Sequence, residues 1–208
     1  TDGTLWMWGY NDNGALAQNN LTNYSSPVQI PGTTWATVSN GFSATWAVKT
    51  DNTLWAWGDG GYGMLGQNST VKYSSPVQIP GTSWYNLVNG SSRMLSPLAL
   101  KTDNTLWAWG YASNGALGDN SVVAKSSPIQ IPGSWDKDKK PGAALSGATK
   151  VAIKTDGTLW SWGYNNYGQM ALPPPSGNRI SSPIQIGSET DWASAGLAGF
   201  MGWGVRQS

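Results

Sequence analysis

One hexapeptide returns four times along this chain: Thr4–Gly9 reads TLWMWG, Thr53–Gly58 and Thr105–Gly110 read TLWAWG, and Thr158–Gly163 reads TLWSWG. The starts lie 49, 52 and 53 residues apart. Each copy is followed by a Gly-containing segment (GALA, GMLG, GALG, GQMA), then Ser-Ser-Pro, then VQI or IQI, then a lone tryptophan at 35, 84, 135 or 192. TWAVK, PLALK, KVAIK or GWGVR closes each unit. A period near 50 residues with four short β-type segments is the pattern of a propeller, one twisted antiparallel sheet per repeat packed around an axis. In TLWMWG the tryptophans share one face and Leu5 and Met7 the other, because strand side chains alternate. Both faces are apolar, as in a strand buried between two neighbouring sheets.

The expectation is therefore an all-β single domain over residues 1–208, a β-propeller of four-stranded antiparallel blades with four repeats. Val205–Ser208 matches Val48–Asp51, and the chain starts just before a Trp-Trp strand, so the boundary reads as circularly permuted. The preferred form is a closed four-bladed ring sealed by Gly202–Arg206 pairing with Thr4–Gly9. A section of a larger ring is the other form.

The run AVKTDNTLWAWG at Ala47–Gly58, continuing as GDGGYGMLG and later SSPVQIPG, resembles the regulator-of-chromosome-condensation repeat family in its bacterial and phage-like form. All four units fit. The resemblance implies a propeller scaffold, with rings of about seven blades. Members of the family do different things on that scaffold, among them Ran nucleotide exchange and chromatin binding, enzyme inhibition by a secreted propeller, and repeat arrays in surface or virion proteins. The family often carries a His before the innermost strand, where this chain has Ala44, Ser96, Thr149 and Met201. No residue of the exchange factor carries over.

Catalysis is narrowed by elimination. The chain has no His and no Cys, which removes Ser-His-Asp triads, thiol nucleophiles and His- or Cys-ligated metal centres. Ten of the eleven acids are Asp, and Asp51, Asp103 and Asp156 fall in Lys-Thr-Asp hairpin turns rather than in a carboxylate pair. Asn11-Asp12-Asn13-Gly14 lacks the spaced carboxylates of a calcium loop. Gly60-Gly61-Tyr62-Gly63 lacks the context of a phosphate cradle. No metal, cofactor or catalytic residue is expected. Twelve basic residues against eleven acidic ones leave a formal charge of +1, so nucleic acid is not an expected partner. No apolar run reaches the roughly 18 residues of a membrane span, so no membrane insertion is expected.

Function in such a frame belongs where the repeats disagree. The recurring tryptophans read as core, each indole N–H with a nearby acceptor. Irregular stretches fall at Arg93–Pro97, Lys137–Ala144 and Pro173–Arg179, and a meander places all three on the face of the long loops, opposite the Lys-Thr-Asp tips. Candidate binding residues there are Arg93, Met94, Lys137, Lys139, Lys140 and Arg179, with loop aromatics Tyr10, Tyr111 and Tyr164. The reading is a non-catalytic interaction or adhesion module, displayed on a virion fibre or a bacterial surface or secreted protein, recognising a protein or glycan surface and suited to assembly in a larger complex. An intracellular exchange-factor or chromatin-type adaptor is the alternative, and a carbohydrate-active enzyme the third. Extracellular, cell-surface or virion placement goes with the first.

Overall fold

The computed structural model describes residues 2–41, 43–87, 95–139, 141–143, 148–172 and 179–207. Among these residues sixteen strands follow one another: β1 (Trp6–Gly9), β2 (Tyr24–Gln29), β3 (Trp35–Asn40), β4 (Ala44–Lys49), β5 (Leu54–Gly58), β6 (Tyr73–Ile79), β7 (Trp84–Leu87), β8 (Leu98–Lys101), β9 (Leu106–Gly110), β10 (Lys125–Ile131), β11 (Gly142–Ala143), β12 (Thr149–Ile153), β13 (Leu159–Tyr164), β14 (Arg179–Ile186), β15 (Trp192–Ala198) and β16 (Met201–Arg206). They form three complete four-stranded blades, β3 to β6, β7 to β10 and β11 to β14, each a simple antiparallel meander. A two-stranded half-blade flanks each end, β1–β2 and β15–β16.

The half-blades are complementary halves of one repeat, but β1 pairs with β2 and β16 with β15, and no ladder joins β1 to β16 among the described residues. The seal expected between Gly202–Arg206 and Thr4–Gly9 is not formed in this structure. Trp8 is 62% exposed and Trp203 53%, while Trp57 and Trp46, in the same repeat positions of a complete blade, are fully buried.

Blades are joined by the Gly-containing loops. The second indole of the motif in each complete blade donates to a loop carbonyl of the preceding unit: Trp57 Nε1 to Ala15 O at 2.8 Å, Trp109 Nε1 to Met64 O at 2.8 Å, Trp162 Nε1 to Ala116 O at 3.1 Å. A backbone staple repeats beside it, Asn19 N to Ser74 O (2.8 Å), Asn68 N to Ser126 O (2.7 Å) and Asn120 N to Ser181 O (2.8 Å). Glycine is required where the loop meets the next blade: a Cβ on Gly115 would lie 2.6 Å from Ser181 Cα, and φ there is +73°. These contacts explain why Gly-x-Leu and Trp-x-Trp recur together. The core is a row of inter-blade clusters in which Leu54, Met64, Leu65, Ile79 and Trp109 meet across one junction and Leu106, Leu117, Ile131 and Trp162 across the next.

The lone tryptophans depart from expectation in one respect. Trp135 Nε1 reaches Ile131 O at 3.2 Å, but the buried Nε1 groups of Trp35, Trp84 and Trp192 have no partner among the described residues.

Candidate functional site

The meander gives the molecule a tip face and a loop face. On the tip face, one local device recurs in every unit. Asp51 Oδ1 accepts Thr53 N at 3.0 Å and Thr53 Oγ1 at 2.6 Å, and Thr53 Oγ1 in turn accepts Trp55 Nε1 at 2.9 Å. Asp2–Thr4–Trp6, Asp103–Thr105–Trp107 and Asp156–Thr158–Trp160 repeat it. The threonine hydroxyl bonds hold the carboxyls of Asp51, Asp103 and Asp156 below the ordinary carboxylate range. These acids build turns and orient indoles. Among the described residues no cluster of three or more His, Cys, Asp or Glu side chains exists.

The loop face carries exposed rings on a stiff frame. Asn11 and Asn165, both fully buried, shape their loops by accepting Leu16 N at 2.8 Å and Met170 N at 3.0 Å. The Asn-Asp-Asn-Gly stretch is thus a loop organised by its first asparagine. Tyr62, at a left-handed φ of +59°, is 56% exposed and meets Tyr111 of the next blade edge-on, centroids 4.9 Å apart. Tyr167 lies between Tyr164 (6.4 Å) and Phe200 (4.8 Å), the latter in the β15–β16 hairpin of the following unit. Tyr10 is exposed on the same face, and Arg179 is exposed opposite Tyr164 in the β13–β14 register.

Of the residues singled out by sequence, Tyr10, Tyr111, Tyr164 and Arg179 thus share the loop face, whereas Lys137 and Lys139 do not. Lys137 N donates to Asn104 Oδ1 of the neighbouring tip at 3.3 Å, its ammonium pairs with Asp138 at 2.6 Å, and Tyr85 OH reaches the same carboxylate at 3.0 Å. Lys139 Nζ donates to Trp192 O at 2.7 Å and lies 3.6 Å from Asp136. The insertion is spliced in directly after Trp135, which bridges Lys154, and the ladder resumes only at Gly142; its described residues therefore lie on the tip side of β11. Both lysines tie blades together. Arg93, Met94 and Lys140 lie outside the described residues.

Sequence reading places Tyr167 among the loop aromatics but misses Phe200 as its partner, the lysine stacking described below, and Lys150. Lys150 is fully buried, donates to Ser96 O at 2.6 Å, and burial pushes its ammonium down to about 7.

A model of the regulator of chromosome condensation (RCC1) repeat matches residues 2–47, 51–88 and 156–196. The chain belongs to the RCC1 repeat family. It is similar to the mitochondrial RCC1 domain-containing protein RUG3 of Arabidopsis thaliana, 33% identical over 76 residues, covering 36% of this chain and 17% of that protein. It also resembles the probable E3 ubiquitin-protein ligase HERC6 of Homo sapiens, 30% identical over 95 residues, covering 44% of this chain and 9% of that one. In three dimensions it resembles human WBSCR16, with a TM-score of 0.79 and 18% identity, covering all of this chain and 54% of that one. Prp20p of Saccharomyces cerevisiae, described with its binding to Gsp1p and histones, gives a TM-score of 0.75 at 20% identity, covering 98% and 52%. This RCC1-type chain spans about half of those solved chains and under a fifth of the two curated relatives.

Proposed function

We propose that this chain is a non-catalytic protein-docking segment of an RCC1-type propeller that engages a folded partner through its loop face. The observation carrying this is two ring pairs on the loop face, Tyr62 with Tyr111 on loops whose backbones are stapled blade to blade, and Tyr167 with Phe200 where the fourth loop meets the following hairpin. Rigid aromatic rings with a nearby arginine are the usual anchors of protein interfaces. Support for the intracellular adaptor form comes from Prp20p and its named partners; the displayed-fibre form draws none from these relatives.

The purified chain is titrated against Gsp1p and against core histones. Micromolar or tighter binding to one is expected, weakened at least about tenfold by Tyr62→Ala with Tyr111→Ala, or by Tyr167→Ala with Phe200→Ala, at unchanged melting temperature. Wild type ignoring both partners, or binding that survives both double variants, overturns the adaptor reading.

Ring closure is part of the same proposal. The β4–β5 register, carried over to the half-blades, places Val205 opposite Leu5. In a chain without cysteine, Leu5→Cys with Val205→Cys should form an intramolecular disulfide if this chain closes on itself. Its absence under oxidation counts against closure.

A further inference from the structure

Three lysines on the tip side share one environment. Lys49 Nζ lies 4.7 and 4.6 Å from the ring centroids of Trp35 and Trp55, Lys101 Nζ 4.5 and 4.2 Å from Trp84 and Trp107, and Lys154 Nζ 5.4 and 3.5 Å from Trp135 and Trp160. Stacking on indole faces fixes an ammonium in place but leaves its N–H donors unspent. No carboxylate or hydrogen-bond acceptor comes within bonding distance of any of the three among the described residues, although Asp51, Asp103 and Asp156 each sense the lysine two residues before them; Lys125, Lys137 and Lys139 by contrast pair with Asp119, Asp138 and Asp136. A second donor converges on the spot in two units. A Cβ built on Gly81 would lie 3.8 Å from both Lys101 Nζ and the unpartnered Trp84 Nε1; one on Gly32 would lie 3.4 Å from Lys49 Nζ and 3.9 Å from the unpartnered Trp35 Nε1.

Two of these lysines, Lys101 and Lys154, open onto clefts between blades. The cleft at Lys101 encloses about 310 Å³ and is walled by Trp107, Pro80 and Pro128, with Asn68 and Ser127 as polar neighbours. The cleft at Lys154 encloses about 410 Å³, with Trp160, Pro132, Pro183, Asn120 and Ser182 in the same places. Asp119 also lines this second cleft, where Gln67 lines the first.

The fourth unit shows what this position accepts. Arg206 stands opposite Trp192 as Lys49, Lys101 and Lys154 stand opposite Trp35, Trp84 and Trp135. There the chain inserts Glu189–Asp191, and Arg206 binds Asp191 at 2.6 Å and Glu189 at 3.9 Å. Glu189 Oε2 packs against Gly187, the counterpart of Gly32, Gly81 and Gly133, which face the lysine ammoniums.

We propose that Lys49, Lys101 and Lys154 head three related sites, the first two with a free indole N–H beside the ammonium and the last two opening onto clefts, that take carboxylate side chains from an acidic segment of a partner protein, as the Glu189–Asp191 insertion does within the chain at Arg206. One ammonium, an indole N–H and apolar ring walls suit a single carboxylate on an aliphatic stem. Lysine ammoniums bind phosphate too, but built phosphate sites add arginine forks, backbone nests or helix N-termini, which the described residues around these lysines do not supply. The Lys101 site binds more tightly than the Lys154 site, because at the latter the Trp135 indole N–H is already spent on Ile131 O and the Asp119 carboxylate, partly offset by Lys125, lines the cleft. These sites lie away from the aromatic loop face, so the two proposals stand or fall separately.

The test uses the whole chain and hexaglutamate, with a dT12 oligonucleotide as the alternative polyanion, followed through indole ¹⁵N shifts at about 20 mM salt, where surface charge is weakly screened. Hexaglutamate binding is expected, weakened about threefold by Lys101→Met, less by Lys154→Met, and lost in the triple Lys→Met variant, while Lys72→Met, with the same charge change, leaves it intact. Wild type failing to bind at millimolar peptide, or a triple variant that binds normally, overturns the proposal. Equal binding of dT12 through the same lysines overturns its protein-partner form. Should the triple variant melt early, Glu189→Gln with Asp191→Asn decides: freeing Arg206 should strengthen hexaglutamate binding, and unchanged affinity overturns the proposal.

Discussion

The second tryptophan of the repeated hexapeptide meets two fates in this molecule. In the complete blades Trp57, Trp109 and Trp162 are fully buried and bonded to the preceding unit; in the β1–β2 half-blade Trp8 is 62% exposed. The local sequence is nearly identical, so the difference comes from neighbours: burial of this residue requires both the inner strands of its own blade and a loop from the blade before. A propeller repeat is stable as a member of a stack rather than alone.

Breaking that contrast most severely, Trp109→Ala should cost about 3–5 kcal/mol by opening a cavity at the junction. Trp8→Ala should cost under about 1 kcal/mol, since little of its surface leaves water. Denaturant unfolding of both variants checks this; equal losses would mean that β1–β2 is covered in solution.

Glycine at the end of the motif repeats the lesson at smaller scale. A Cβ on Gly110 would collide with the Leu95 carbonyl oxygen, whereas one on Gly9 meets nothing within 4 Å. Both have positive φ, 88° and 109°. Gly110→Ala should therefore destabilise by about 1–3 kcal/mol and Gly9→Ala by less, from backbone strain alone. Thermal melts of the pair decide it.

Lys150 adds a pH dependence that only a complete blade can have. Burial lowers its ammonium from an ordinary 10.5 to about 7, so between those values the unfolded chain holds a proton that the folded chain has lost. Stability should then rise with pH across that window, by up to about 1.4 kcal/mol per pH unit. Lys150→Met should remove the slope in urea titrations at pH 7, 8 and 9. A slope unchanged in the variant assigns it elsewhere.

The smallest effect is one that should not distinguish the regions. The Asp–Thr–Trp relay is complete within five residues and is present in the half-blade at Asp2 as in the blades. Thr105→Val and Thr4→Val should each cost about 1 kcal/mol or less. For Asp51, Asp103 and Asp156 the carboxyl is lowered in the folded state, so its contribution is present above the ordinary carboxylate range and fades as pH falls through the lowered value. A markedly larger loss for Thr105→Val would tie the relay to blade packing.

Much of the frame was legible because its signals are local. Alternation in TLWAWG, Asp-Asn and Asp-Gly at the hairpins, and Pro-Gly before the lone-tryptophan segment in three of the four units mark the strands and their order within a blade. The loop face was legible in part: Tyr10, Tyr111, Tyr164 and Arg179 fall where meander geometry puts them, while the Lys137–Lys139 insertion crossed to the other face. An insertion adds residues at a sequence position, but which half of a strand it interrupts depends on where the ladder resumes. The Phe200–Tyr167 contact was not legible, since it joins segments that no periodicity relates; the indoles beside each lysine recur with the repeat, but only the folded blade brings both rings over the ammonium.

The blade itself follows from the order of residues: four strands per repeat, their antiparallel succession and the turn chemistry between them depend on groups within a few positions of one another. Which tryptophans are buried and which rings reach solvent follow instead from blade stacking. Those outcomes rest on contacts such as Trp109 with Met64, 45 residues apart, which exist only once one blade has packed on the next.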